Sequence, residues 1–158
     1  MHAVDVLMYG NRTLMMALDR VPEDAWETEG VCGWWSVKNI VAHLASFEHM
    51  LEDVLCLFLE GGSTETLEAW GRSDFNDIQV ANRQDMTPKE VFQEYRQAYE
   101  RNMSLAKEIP AEKWAETGAL PWYGKEYDLE DFIAYTFYGH KREHSAQVNV
   151  FTDQFKEG

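Results

Sequence analysis

The chain has 158 residues, of which 45% are hydrophobic and 13% aromatic. This length suits one domain with a hydrophobic core, and the composition excludes a disordered chain, so we expect residues 1–158 to form a single domain. Lys and Arg number 14 against 28 Asp and Glu, which gives a formal net charge of −14. Such a charge repels nucleic-acid phosphates and anionic lipid surfaces, and we expect neither as a partner.

Three features of the sequence bear on the cellular compartment. Two cysteines, Cys32 and Cys56, are too few for a disulfide framework. The first residues lack the basic and apolar regions of a secretory signal, because an acid already stands at Asp5. The most apolar stretch, Ile40–Leu59, is interrupted by charged residues and histidines, which argues against a membrane span. We therefore expect a soluble, cytoplasmic protein.

The first segment with helical spacing runs from about Val4 to Arg20. Apolar residues, and Asn11 among them, recur there at intervals of three or four. Pro22 ends the segment, because proline cannot continue a helix interior. The following stretch, Glu27–Trp34, contains two glycines and is expected to be a loop.

A second segment begins after Ser36, a plausible N-cap, and runs to about Glu60, where two glycines follow. Its apolar stripe comprises Ile40, Phe47, Met50, Val54 and Phe58. His43 falls inside this stripe and should point into the protein. His49 lies roughly 120° away around the helix and is expected at the surface, as is His2.

The middle of the chain combines a linker with a third long segment. Ser63–Ser73 is a polar connector, and Asp74–Asp85 is expected to form a short helix. Thr87–Glu90 has the pattern of a capping box with proline at the first helical position. The helix that starts there is predicted to run to about Glu108, with Asn102 on its apolar stripe.

The fourth segment has the cleanest helical period of the chain and begins after Asp128, the expected N-cap. Its stripe comprises Leu129, Ile133, Phe137, His140, His144, Val148, Phe151 and Phe155. Four amphipathic segments predict an all-α helix bundle. Alternating apolar patterns are too short to require a sheet, although a short hairpin near Trp122 is compatible with the sequence.

The histidines are the residues most capable of chemistry. His140 and His144 are four residues apart, so on a helix they lie about 40° apart in rotation and about 6 Å apart along the axis. Two imidazoles at this spacing can hold one ion. His43 also lies on an inward stripe, so three imidazoles can converge on one cation and leave positions open for water or substrate. The alternative is that these are core histidines satisfied by hydrogen bonds.

Two motifs, far apart in the chain, resemble a known family. Trp35–Leu44 reads WSVKNIVAHL, and Tyr138–Val148 reads YGHKREHSAQV. They resemble the start of the second helix and the closing helix of the DinB-like (YfiT-type) superfamily. The resemblance implies an up-down-down-up four-helix bundle and a metal triad of His43, His140 and His144. It further implies a divalent ion such as zinc or nickel, and a homodimer.

The resemblance also carries expectations about activity. It suggests a metal-dependent thiol S-transferase or a hydrolase that acts on a small electrophilic substrate. A low-molecular-weight thiol would then serve as cosubstrate, so that no protein cysteine is required. The alternatives are a non-catalytic small-molecule-binding or protective module with a structural metal, and a metal-free bundle that acts through its surface.

Several further residues are candidates for a substrate pocket beside the metal. We expect the pocket to be lined by Trp35, Phe47, Asn102 and Phe137. For the aromatic residues the alternative is ordinary core packing. For Asn102, and for Asn11 on the first segment, the alternative is a hydrogen bond between helices that sets their register.

Two reactive residues near these motifs also have two interpretations each. Glu143 stands beside the histidine pair and is either a base or a partner of a surface cation. Cys32 precedes the tryptophans of the first motif and is either a ligand or nucleophile, or a loop thiol. The second interpretation is favoured for Cys32, because no cation adjoins it in sequence to lower its pKa.

Overall fold

A computed structural model describes residues 2–156 of the chain, which are helical for most of their length. The helices are α1 (Ala3–Asp19), α2 (Val37–Leu57), α3 (Glu65–Trp70), α4 (Phe75–Ala81), α5 (Pro88–Glu108), α6 (Ala111–Trp114), α7 (Leu129–Phe132) and α8 (His140–Asp153). A π-helical segment, Ile133–Gly139, joins α7 to α8, and 3-10 turns occupy Glu23–Ala25 and Gln154–Lys156. Residues 2–156 contain no strand, and the all-α prediction is confirmed.

The hairpin considered near Trp122 does not form. Trp122 lies in a turn in which the backbone N–H groups of Tyr123 and Gly124 both donate to the carbonyl of Leu120. Local turn bonds therefore satisfy the backbone there. In the described part of the chain the single extended pairing is an isolated bridge between Cys32 and Trp35, just before α2.

The predicted N-caps are confirmed at three long segments. The Ser36 hydroxyl accepts from the N–H of Asn39, and the Asn39 side chain accepts in return from the N–H of Ser36. The same reciprocal bonds link Thr87 with Glu90, and Asp128 with Asp131. Each pair satisfies two backbone donors that a helix start leaves free, so the starts of these helices are encoded locally.

The linker after α2 is more ordered than the sequence suggests. The helix ends at Leu57 rather than Glu60, and Gly61 at φ +83° donates its N–H back to the carbonyl of Cys56. The predicted polar connector contains α3, because the carboxylate of Asp53 accepts from the N–H groups of Thr66 and Leu67. A cap supplied by another helix has no local sequence signature.

Two buried clusters define how the long helices run. In one cluster the start of α1 packs on the ends of α2 and α5 and on the residues just before α8. In the other cluster the end of α1 packs on the starts of α2 and α5 and on the later part of α8. Helix α2 is therefore parallel to α5, and both are antiparallel to α1 and α8. This is the expected up-down-down-up order.

The fourth predicted segment is not one uninterrupted α-helix. Residues Ile133–Gly139 form a π-helical stretch, in which each turn takes an additional residue, and α-helix resumes at His140. Phe137 and His144 are buried as predicted, but Phe155 is 44% exposed. Spacing in the sequence indicated which residues face inward over most of the segment, but not the change of helix type.

The structure also bears on the expectation about membranes. Among the described residues, no helix combines the length and the apolar composition needed to cross a bilayer. Helix α2 is long enough, but it carries buried Lys38, Glu48 and Asp53.

Candidate metal centre

Three histidines from two helices meet in the interior. The Nε2 atom of His140 lies 2.9 Å from Nε2 of His43 and 2.9 Å from Nε2 of His144. Their candidate ligand atoms all fall within 4.8 Å of one another. The convergence predicted from spacing is confirmed, and it joins residues 97 positions apart in sequence.

Local structure sets the positions of the three rings. His43 lies within the first two turns of α2, after the capping box at Ser36. His140 is the first residue of α8, directly after the π-helical segment, and His144 follows one turn later. Because α7 and the π-helical segment pack at the level of the end of α2, the start of α8 lies level with the first half of α2.

The three rings are held away from solvent. His43 and His144 are buried and His140 is partly buried. Burial, followed by the neighbouring His140 and His144, lowers the pKa of His43 to about 3. Burial and the nearby His144 and Lys141 lower the pKa of His140 to about 3, and burial lowers the pKa of His144 as well. All three imidazoles are therefore neutral near pH 7, which is the form that binds metals.

The Nδ1 atoms of His43 and His144, which point away from the meeting point of the rings, differ in their hydrogen bonds. The Nδ1–H of His144 donates to Oε1 of Gln147 at 2.8 Å, which leaves Nε2 of His144 with its lone pair towards the other rings. Nδ1 of His43 is buried and has no hydrogen-bond partner among the described residues. The side chain of Asn76 in α4 lies near enough to oppose part of the fall in the pKa of His43.

The donor set fits a metal ion better than it fits a network of hydrogen bonds. Nε2 of His140 is shared by two contacts, so a single proton on it can satisfy only one of them. A cation at the meeting point would use the lone pairs of all three atoms at once. Three imidazoles that leave further positions open are typical of zinc, and imidazole also suits nickel and copper. His43, His140 and His144 can thus hold a divalent metal.

Aromatic rings enclose the histidines on the α2 side. The ring of Trp35 lies 5.0 Å from that of His43, and the ring of Phe47 lies 4.8 Å from His43 and 4.5 Å from His140. Phe137 is buried behind Phe47, with the two ring centroids 6.4 Å apart. Trp35 and Phe47 therefore border the site, and Phe137 supports Phe47 from the core.

The two asparagines make hydrogen bonds between helices. Asn102 is 1% exposed, and its Nδ2 donates to the backbone carbonyl and to Oε2 of Glu48, each at 2.7 Å. Asn11 accepts from the hydroxyl of Tyr95 at 2.8 Å. Both arrangements fit the inter-helix alternative. The assignment of Asn102 to a substrate pocket stays a prediction.

The other candidate residues lie outside the histidine group. Cys32 is partly buried, and its backbone pairs with that of Trp35. The side chain of Glu143 is exposed. His2 is exposed and caps α1, whereas His49 is partly buried, with Nε2 3.7 Å from a carboxylate oxygen of Glu94.

Sequence reasoning missed a second buried polar group beside the histidines. Lys141 and Glu48 form an ion pair whose side chains are 2% and 1% exposed. A signal was present, because Glu48 falls between Leu44 and Leu51 on the flank of the apolar stripe of α2. A charge at such a position has to find a buried partner.

Comparison with known protein families identifies the family of this chain. The family model for the mycothiol maleylpyruvate isomerase N-terminal domain matches residues 10–129, which is more than half of the chain. The protein belongs to this family, which is DinB-like, helical and metal-binding. The matched region includes His43 and ends before His140 and His144. No curated protein and no solved structure matches the chain.

Proposed function

We propose that this member of the mycothiol maleylpyruvate isomerase N-terminal domain family binds one divalent cation, zinc or nickel, through His43, His140 and His144. We further propose that it transfers a low-molecular-weight thiol to a small electrophilic substrate, or hydrolyses that substrate. The observation that carries the proposal is the pair of 2.9 Å contacts that join the Nε2 atoms of the three histidines through His140. Burying three imidazoles that cannot satisfy one another costs free energy, and a cation offsets that cost.

A bound divalent ion lowers the pKa of a thiol or a water molecule and so supplies a nucleophile near neutral pH. The chain contributes neutral imidazoles, because burial keeps the pKa values of all three histidines low. Gln147 holds the proton of His144 on Nδ1 and so leaves Nε2 free to act as a ligand. Trp35 and Phe47 cover the rings and limit the access of bulk water.

The family supports a thiol as the cosubstrate. Its description names mycothiol, a small thiol, together with an isomerase reaction. A thiol supplied in solution removes the need for a protein nucleophile, in agreement with the position of Cys32 outside the histidine group. Trp35 and Phe47 are the residues we propose to contact the substrate, with Phe137 supporting them and Asn102 as a further candidate.

Metal analysis tests the first half of the proposal. Protein purified without chelators should contain about one zinc or nickel ion per chain, and His140→Ala should lose it, because that ring touches both others. His49→Ala is the matched control, since His49 lies on α2 outside the group. Absence of a stoichiometric ion from the wild type, or equal retention by His140→Ala, would contradict the proposal.

Activity assays test the second half. We expect reconstituted protein to accelerate consumption of a chromogenic electrophile by a small thiol, and chelated protein or His140→Ala to be inactive. A tightly bound ion without turnover of any electrophile, with or without thiol, would favour the alternative of a non-catalytic binding module with a structural metal. A homodimer, a cytoplasmic location and the absence of nucleic-acid partners stay predictions.

A further inference from the structure

Glu48, Lys141 and Asn102 form a buried polar cluster beside the histidines, which we call the strut. One carboxylate oxygen of Glu48 contacts Nζ of Lys141, and the other accepts from Nδ2 of Asn102 at 2.7 Å. All three residues are at most 2% exposed. The strut connects α2, α8 and α5 in the interior.

The strut lies beside the histidines on the same two helices. Lys141 follows His140 directly, so the two side chains are about 100° apart around α8. Glu48 is five residues after His43, or about 140° around α2. The ion pair and the histidine contact therefore join α2 to α8 along two different directions. Two contacts in different directions constrain the rotation of one helix against the other more tightly than one contact does.

These two helices meet through side chains more than through their backbones. The backbones of α2 and α8 approach at few points, whereas α2 packs extensively on α5 and α8 packs on α1. Long side chains therefore determine the α2–α8 spacing. The stem of Lys141 passes close to Gly10 of α1, where a Cβ atom would lie 3.7 Å from Cδ of Lys141. Its ammonium group lies 5.3 Å from the ring centroids of Tyr95 and Tyr99.

The composition of the strut argues against a role in stability alone. Burying an ion pair removes two charges from water, and well-packed apolar residues of similar volume are often as stable or more so. Oδ1 of Asn102 also has no hydrogen-bond partner among the described residues, which is a further cost. Such a cluster does favour one relative orientation of the helices, because its hydrogen bonds form only in that orientation.

We propose that Glu48, Lys141 and Asn102 are positioning residues, which set the rotation of α8 against α2 so that His43 meets His140 and His144. This inference rests on the proposed metal site and adds the residues that give the site its geometry. It requires that loss of the strut weakens metal binding without loss of the fold.

The test is the double variant Glu48→Leu/Lys141→Met in the full chain. We expect unchanged helical content and an unfolding midpoint equal to or above that of the wild type. Zinc affinity, measured by competition with a chromophoric chelator, should fall about 10-fold or more, as is usual when the support of a ligand is removed. The visible spectrum of the cobalt form should change, because it reports coordination geometry. Affinity and spectrum equal to the wild type would overturn the proposal.

Two further variants complete the test. Glu52→Leu/Arg101→Met removes an exposed pair at 3.4 Å one turn along α2 and should leave affinity and spectrum unchanged. If the double variant does not fold, Glu48→Gln decides, because it keeps the shape of the side chain. We expect it to bind zinc several-fold more weakly, and wild-type affinity would overturn the proposal.

A measurement on the metal-free protein tests this inference separately from the proposed function. If the wild type binds no zinc at the histidines, the proposed function fails, and crystal structures without metal then decide about the strut. The separation of Nε2 of His43 from Nε2 of His140 should grow by about 0.5 Å or more in the double variant. An unchanged separation would overturn the positioning role.

Discussion

Two buried polar clusters join α2 to α8, and they are opposites in their chemistry. The strut combines an acid, a base and an amide, so its charges neutralise each other within the protein. The histidine triad combines three groups of the same kind, which cannot supply protons for all their lone pairs. A cluster whose charges balance can position helices, whereas a cluster of lone pairs with too few donors is prepared for a cation. Breaking each cluster should therefore have different consequences.

The largest effect is expected when one half of the strut is removed. Lys141→Met leaves the carboxylate of Glu48 buried without its cation, and we expect a loss of about 3–5 kcal/mol in the free energy of unfolding. Urea unfolding of the metal-free protein measures it. In the same metal-free protein, His140→Ala should lower the free energy of unfolding much less. The imidazole of His140 is neutral, so its removal leaves no buried charge without a partner. Equal losses in the two variants would remove the contrast between the clusters.

Metal removal should have the next largest effect on the free energy of unfolding. The effect should require an intact histidine triad. At an ion concentration 100 times the dissociation constant, binding stabilises the folded chain by about 2.7 kcal/mol. We expect a chelator to lower the unfolding midpoint of the wild type accordingly. The midpoint of His140→Ala should not respond to a chelator or to added zinc. An identical response in both proteins would place the ion elsewhere.

A smaller effect is expected at the residue that orients His144. Gln147→Leu removes the acceptor of the Nδ1–H of His144 and should weaken zinc binding about 10-fold, or about 1.4 kcal/mol. Chelator competition measures the change. Gln154→Leu, about two turns further along the chain, is the control and should bind as the wild type does. Unchanged affinity in Gln147→Leu would show that the hydrogen bond does not orient the ligand.

The smallest effect concerns a partly exposed ion pair away from the triad. Burial raises the pKa of Glu94, but the nearby His49 ring and the Arg83 guanidinium outweigh it, so the pKa falls below its ordinary value of 4.5. The ionised form of Glu94 is therefore favoured by folding, and its contribution is present above pH 4.5 and is lost as pH falls through the lowered pKa.

The variant Glu94→Gln should accordingly lose about 1 kcal/mol or less at neutral pH, and this difference from the wild type should shrink in acid. Unfolding curves across this pH range measure it. Glu100→Gln, at an exposed pair with Arg96, should show almost no difference at any pH. A difference between wild type and Glu94→Gln that grows in acid would have the wrong sign.

Local patterns predicted most of the fold correctly. The capping boxes at Ser36, Thr87 and Asp128 are formed by residues three positions apart, so they are visible in the sequence before any tertiary contact exists. Helix α3 was missed because its N–H groups are satisfied by Asp53, which is more than ten residues away. Bonds between distant residues leave no pattern at helical spacing.

The sequence predicted the three histidines of the candidate site, but not the helix type before His140 or the ion pair beside the rings. His140 and His144 share a face because of their spacing, and His43 was placed inward by the stripe of α2. The π-helical segment before His140 was not foreseen, because the apolar spacing of the sequence does not distinguish it from an α-helix; in the structure Tyr138 of this segment lies against Gly10 of α1. Lys141 was missed because it lies next to the main stripe, where charges usually reach water.

The amino-acid order by itself determined where most of the long helices begin, which faces are apolar and which histidines point inward, because these properties depend on neighbours within one or two turns. Tertiary structure alone decided that the three rings meet and that an ion pair lies beside them. The physical reason is that the rotation and height of one helix against another follow from the packing of whole faces. That packing is a sum over many contacts that no short segment contains.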